Sequence, residues 1–306
     1  MNLPADEFPQ SPEAVREALT IPATDFPADL PLGFGSESLK EPFWWDFFAL
    51  VLLTILSALF FLITIFGVVL IARRLLYPQL VASEVGSIPL VLITAEAVWY
   101  VLVLGCMYIV VTRVQHCSDF LAAIRWHWPH RSLMYVLAGV CLAVALEGIA
   151  QFLPIPKNLP IDNMFRTPAE AWVLSIFSVT AAPLMEELYF RGFLYPVVAR
   201  YAQMATAFML KRWGAIQRDG LGQNIAVPSA ILFTALPFAL MHGPQLRFSW
   251  GPVLVIFLVS LVLTIVRAKT NSVAAGVLIH MGYNGAITLA MFAATSGFRH
   301  LEKLNQ

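Results

Sequence analysis

The amino-acid sequence predicts an all-α fold: a polytopic integral membrane helix bundle of about seven or eight transmembrane helices, behind a disordered or extended N-terminal tail. Composition and the length of the apolar runs point to it. Of 306 residues, 59% are hydrophobic and 12% charged, and the mean hydropathy is +0.74. A soluble domain carries about 45–50% apolar and about 25% charged residues. The departure disfavours a soluble enzyme, a disordered chain and a disulfide scaffold. Three cysteines do not make an even extracellular set.

The apolar runs are Phe47–Ala72, Ile88–Thr112, Leu133–Leu153, Pro168 to about Leu210, Val227–His242, Val253–Val266 and Val273–Ala294. A spanning helix needs about 20 mostly apolar residues. The fourth run is too long for one span, and Pro183, Gly192 and Pro196 offer places to kink or split it. It opens on Thr167-Pro-Ala-Glu170, a capping-box pattern that starts a helix. Between the second and third runs, Ser118–Trp128 carries two tryptophans and a phenylalanine beside Arg125, which suits a helix lying in the membrane interface. Arg73-Arg74 and the Lys211, Arg212, Arg218 loop demand opposite orientations if the helices alternate, so the positive-inside rule leaves topology open.

Residues 1–42 form a separate acidic, proline-rich zone, and residues 43–306 form the membrane domain. The tail holds seven of the 20 prolines and eight acids against Arg16 and Lys40, a balance of −6; the remainder carries +6. One short helix is expected from Ser11 to Leu19, and the tail lacks the basic start and apolar core of a secretory signal. The basic residues form no run, so no nucleic-acid partner is indicated.

An ionisable residue near the bilayer centre costs about 2.5–3.5 kcal/mol on insertion scales, so each one needs a reason. Those inside the runs are Glu96, Glu147, Glu186, Glu187, Arg191, His242 and His280, with Asn284 as a polar neighbour. Glu187 and Arg191 share a helix face at i, i+4 and can pair, which leaves Glu186 pointing about 100° away. His280 and Asn284 also share a face. An unpaired glutamate, two histidines and an asparagine on three runs make a polar site inside a bundle. Glu96 and Glu147 lie alone within the second and third runs, where they could bond across helices or line the same cavity; the structural reading is favoured.

A carboxylate, two imidazoles and an amide can activate water and stabilise an oxyanion. Glu186 takes the role of general base, His242 holds the water, and His280 and Asn284 face the developing charge. Glu186, His242 and His280 could equally bind zinc, and residue types alone do not separate a metal-free hydrolase from a metallohydrolase. There is no His-Glu-x-x-His motif, no Gly-x-Ser-x-Gly elbow and no P-loop.

Glu186-Glu187-x-x-x-Arg191, then Phe238-x-x-x-His242, then His280-x-x-x-Asn284 resembles the CAAX protease and bacteriocin-processing family, also called Abi. That family includes the Ras-converting CAAX prenyl endopeptidases, and the resemblance covers about residues 168–296. It implies an intramembrane endopeptidase with Glu186, His242, His280 and Asn284 as catalytic residues and Glu187 and Arg191 as supporting ones. It also implies no cofactor, with zinc as the alternative. The partners expected are the lipid bilayer and a peptide or lipidated-protein substrate, prenylated or otherwise membrane-associated. A non-catalytic immunity or scaffold protein with an inherited cavity is the competing reading. A transporter is a poorer one, because no internal repeat supports it.

Overall fold

The computed structural model describes residues 43–114, 116–156, 158–212 and 221–305. The tail, its expected Ser11–Leu19 helix and Arg218 lie outside the described residues. The described chain is helical and holds seven candidate membrane spans, so the protein is a multi-pass integral membrane protein.

Helix α1, Phe43–Leu75, is apolar on every face. Ile55, Leu62 and Phe66 are all at least 60% exposed, as expected of a helix whose outer surface meets lipid. Its inner side is held by Leu53, which is fully buried, and by two hydrogen bonds. Trp99 Nε1 donates to Ser57 O at 2.8 Å, and Thr54 Oγ1 lies 2.6 Å from Tyr189 Oη. Helix α2, Pro89–Ile109, starts on a proline that needs no amide donor in the first turn and runs into a π-helical turn, Val110–Val114.

The interfacial helix expected over Ser118–Trp128 is reduced to one turn, Phe120–Ala123, N-capped by Asp119. Arg125 takes a left-handed backbone (φ 59°) and the Trp126 amide closes back on Leu121 O at 2.8 Å. The segment then uses its carbonyls for tertiary bonds that a continuing helix would forbid. Arg125 O accepts from Val273 N at 3.1 Å, and His127 O accepts from Ser272 Oγ at 2.6 Å.

The fourth run becomes three pieces: α4 (Pro168–Val179), α5 (Ala181–Glu187) with a π-helical turn Leu188–Leu194, and α6 (Tyr195–Arg212). Thr167 caps its start: Oγ1 accepts from Glu170 N at 3.3 Å, and the Glu170 carboxylate takes the Thr167 hydroxyl at 3.0 Å in place of the backbone amide of a full capping box. The break falls at Thr180, three residues before Pro183. A proline ring clashes with the carbonyl four residues back, here that of Val179, the last residue of α4. Pro183 therefore sits in the first turn of α5, where a missing amide hydrogen costs nothing.

Helix α7 (Leu221–Met241), helix α8 (Trp250–Thr270) and helix α9 (Val273–Ala294) complete the bundle. Asn271, in the left-handed region at φ 52°, ends α8, and Ser272 caps α9 by accepting from Ala275 N at 3.2 Å. Helix α9 is the central element; the run Val273–His280 is buried throughout. It packs on α3 (Ser132–Ala150) almost backbone to backbone, as small residues permit between membrane helices. A Cβ on Gly139 would collide with Ile279 O, and one on Gly282 would collide with Val136 O.

Those contacts are with backbone atoms that cannot rotate away. Gly139→Ala and Gly282→Ala are expected to lower stability by at least about 1–3 kcal/mol, the usual range for overpacking, measured by thermal unfolding in detergent. Gly105→Ala is the control. Nothing lies within 4 Å of its Cβ position, so a small gain of up to about 1 kcal/mol is expected from helix propensity.

Candidate active site

The site forms where α5 and its π turn meet α7, α8 and α9. At its centre is an ion pair with no solvent exposure on either side chain: Arg191 Nη1 donates to Glu187 Oε1 at 2.7 Å. Arg191 Nη2 donates to Ser260 O at 3.0 Å and Ser260 Oγ at 2.8 Å, both on α8. The guanidinium lies over the Phe238 ring of α7, 4.7 Å from its centroid, and a desolvated cation–π contact adds about 2 kcal/mol or more. The i, i+4 pairing expected of Glu187 and Arg191 is thus present, with partners from two further helices.

The π turn explains a second buried cation. The Tyr195 amide donates to Phe190 O, five residues back. In that register the partner of Arg191 O is residue 196, and Pro196 has no amide hydrogen. Arg267 Nε fills the gap, donating to Arg191 O at 3.0 Å, while its Nη1 donates to Asn271 Oδ1 at 2.6 Å. Pro196 does not split the helix; its effect is to draw Arg267 of α8 onto the turn. Gly192 lies inside the π turn, a feature frequent at functional sites.

His280 of α9 joins the pair from the other side, with Nδ1 3.1 Å from Glu187 Oε1. Glu187 Oε1 already accepts from Arg191, so His280 Nδ1 is the donor and its Nε2 is the free nitrogen. His242, at the C-terminal end of α7, has Nδ1 2.8 Å from Phe238 O. A carbonyl can only accept, so this Nδ1 also carries hydrogen. Both Nε2 atoms face Glu186: His242 Nε2 at 3.9 Å from Oε1 and His280 Nε2 at 3.8 Å from Oε2. These separations exceed direct hydrogen-bonding range. The Glu186 and His242 side chains keep 15% and 18% exposure, against none for Glu187 and Arg191. The two adjacent glutamates are therefore divided as the sequence suggests, one locked and one accessible.

Asn284, one helical turn beyond His280, is differently placed. Its Nδ2 donates to Ser178 O near the end of α4 at 2.7 Å, so one amide hydrogen ties two helices together and one remains. Glu96 accepts from Tyr100 Oη at 2.9 Å on α2, and Tyr100 stacks on Phe177 of α4 at 5.5 Å. Glu147 is exposed near the end of α3. Sequence reasoning missed Ser260 and Arg267, whose only signal was a polar or charged position in an apolar helix. It also passed over Gly276, although Gly276, His280 and Asn284 recur every four residues.

Residues 168–286 match the family described as type II CAAX prenyl endopeptidase Rce1-like. The segment is an Rce1-like domain. It contains all seven motif residues. No curated protein and no solved structure matches the chain. Membership of this segment in a CAAX-type protease family implies an intramembrane peptidase, with a peptide as substrate and the bilayer as surroundings. For metal binding, catalytic zinc takes three protein ligands at about 2.0–2.2 Å for nitrogen and oxygen. Among the described residues no group of three His, Cys, Asp or Glu side chains is arranged to hold a metal ion.

Removing one partner of a buried pair leaves an uncompensated charge and costs about 3–5 kcal/mol. Glu187→Ala is therefore expected to unfold the detergent-purified protein at a clearly lower temperature. Glu186→Ala, which strands no buried cation, is expected to change the midpoint far less. Equal shifts for the two variants would contradict the division of roles.

Proposed function

We propose that the protein is a glutamate-dependent intramembrane endopeptidase, in which Glu186 activates water for attack on a peptide carbonyl. The observation that supports it is the convergence of the accessible Glu186 carboxylate with two imidazole Nε2 atoms, both at distances that suit one bridging water. Glu186 takes a proton from that water as its oxygen bonds to the scissile carbonyl carbon. The tetrahedral intermediate then collapses, and Glu186 returns the proton to the leaving amine. The products are a new carboxylate and a new amine.

With Nδ1–H committed to Phe238 O and to Glu187, each neutral histidine offers Nε2 only as an acceptor, so the water gives one hydrogen to Glu186 and its other to one of the two Nε2 atoms. Either donates to the oxyanion only once protonated. The spare Nδ2 hydrogen of Asn284 is the second oxyanion donor. Such donors act strongly because the site is largely shielded from water. The reading needs no metal.

The test is cleavage of prenylated and unprenylated CAAX-type peptides by detergent-purified protein. Glu186→Gln is expected to lower kcat by at least about 10²-fold, the lower end of general-base contributions, with the fold intact. A chelator is expected to leave wild-type activity unchanged. Loss of activity on chelation would move the assignment to a zinc peptidase. Undiminished function in Glu186→Gln would favour the binding scaffold.

A further inference from the structure

Among the described residues, one oxygen of the central carboxylate has no donor. Glu187 Oε2 is buried without a hydrogen-bond partner, although Oε1 of the same group meets both Arg191 and His280. What Oε2 meets is Gly276 of α9. A Cβ at position 276 would lie 2.7 Å from Oε2 and 3.5 Å from Cδ of Glu187. Gly276 lies inside a regular helix, flanked by the buried Ala275 and Val277, so no turn demands a glycine there. In a helix interior glycine costs about 0.8–1.0 kcal/mol relative to alanine. Gly139 and Gly282 avoid collision with backbone, whereas Gly276 avoids collision with a charged side chain of the site.

We propose that Gly276 is a positioning residue for His280, acting through Glu187. The missing side chain lets the Glu187 carboxylate lie flat against α9, one turn before His280, with Oε1 turned toward Nδ1. That contact holds the imidazole in the tautomer that presents Nε2 to Glu186. A methyl group at 276 pushes the carboxylate off α9 and breaks the Nδ1 contact first, because it is the longer of the two bonds Oε1 makes. The proposal rests on the catalytic reading of Glu186 and His280, so its test includes a measurement that needs no turnover.

Gly276→Ala, Glu187→Gln and the double variant are to be compared with wild type in detergent. If Gly276 acts through Glu187, Gly276→Ala lowers kcat by at least about tenfold with KM little changed, since misplacement by 1 Å can cost about 10²-fold. The double variant then falls no more than about twofold below Glu187→Gln, because the two changes remove one interaction. Effects that multiply, or a Gly276→Ala enzyme within twofold of wild type, overturn the proposal.

Independently of activity, ¹⁵N-histidine NMR should show a protonated Nδ1 signal, assigned to His280 by its loss in His280→Gln, that disappears or exchanges rapidly in Gly276→Ala. Persistence of that signal also overturns the proposal. If no peptide is cleaved by wild type, the peptidase reading fails while this signal still decides the role of Gly276. Should Gly276→Ala fail to fold, adding Glu187→Asp, which retracts the carboxylate by one methylene, is expected to restore folding. Failure of that rescue counts against the proposal.

Discussion

The buried pairing of Glu187 with Arg191 is the constraint on which the site depends. Taking two charges out of water costs several kcal/mol per ion after relaxation, and in a membrane interior no solvent returns to relieve an imperfect fit. The pair is viable because three other helices complete it. Ser260 of α8 gives a carbonyl and a hydroxyl, Phe238 of α7 gives a ring face, and His280 of α9 gives an N–H. Each of these contacts fixes a helix relative to α5, so satisfying the ion pair also sets the distances among Glu186, His242 and His280. Phe238 serves both ends: its ring lies on the guanidinium while its carbonyl orients His242.

The backbone around the pair is adapted to it. The π turn and Pro196 together expose the Arg191 carbonyl, and Arg267 closes it. Likewise, α9 can stand at the centre only because glycine faces α3 at Gly282 and the Glu187 carboxylate at Gly276. Further out, α1 and α2 contribute apolar surface and two cross-helix hydrogen bonds. Order thus falls from a hydrogen-bonded polar centre to a lipid-facing rim held by packing.

Much of this was legible in the chain. Seven apolar runs gave seven candidate spans, because a hydrophobic run of spanning length has few alternatives to a membrane helix. The spacing of Glu187 and Arg191 gave their pairing, and the capping-box pattern gave the start of α4, since both depend on neighbours within one turn. The ordered motifs gave the family before any geometry was known. The expected helix over Ser118–Trp128 was not realised beyond one turn, because its carbonyls bond the α8–α9 junction, a partner about 145 residues away that no local pattern encodes.

The sequence by itself determined the spans, the ion pair and the separation of Glu186 from Glu187, because helical period and hydropathy act over a few residues. Only the tertiary structure decided which nitrogen of each histidine is free, that Asn284 ties α9 to α4, and that Ser260, Arg267 and Gly276 belong to the site. Those outcomes hang on which helix lies against which. In a bilayer every apolar helix face looks alike to lipid, so the choice falls to the few polar atoms and missing side chains that make one close fit possible.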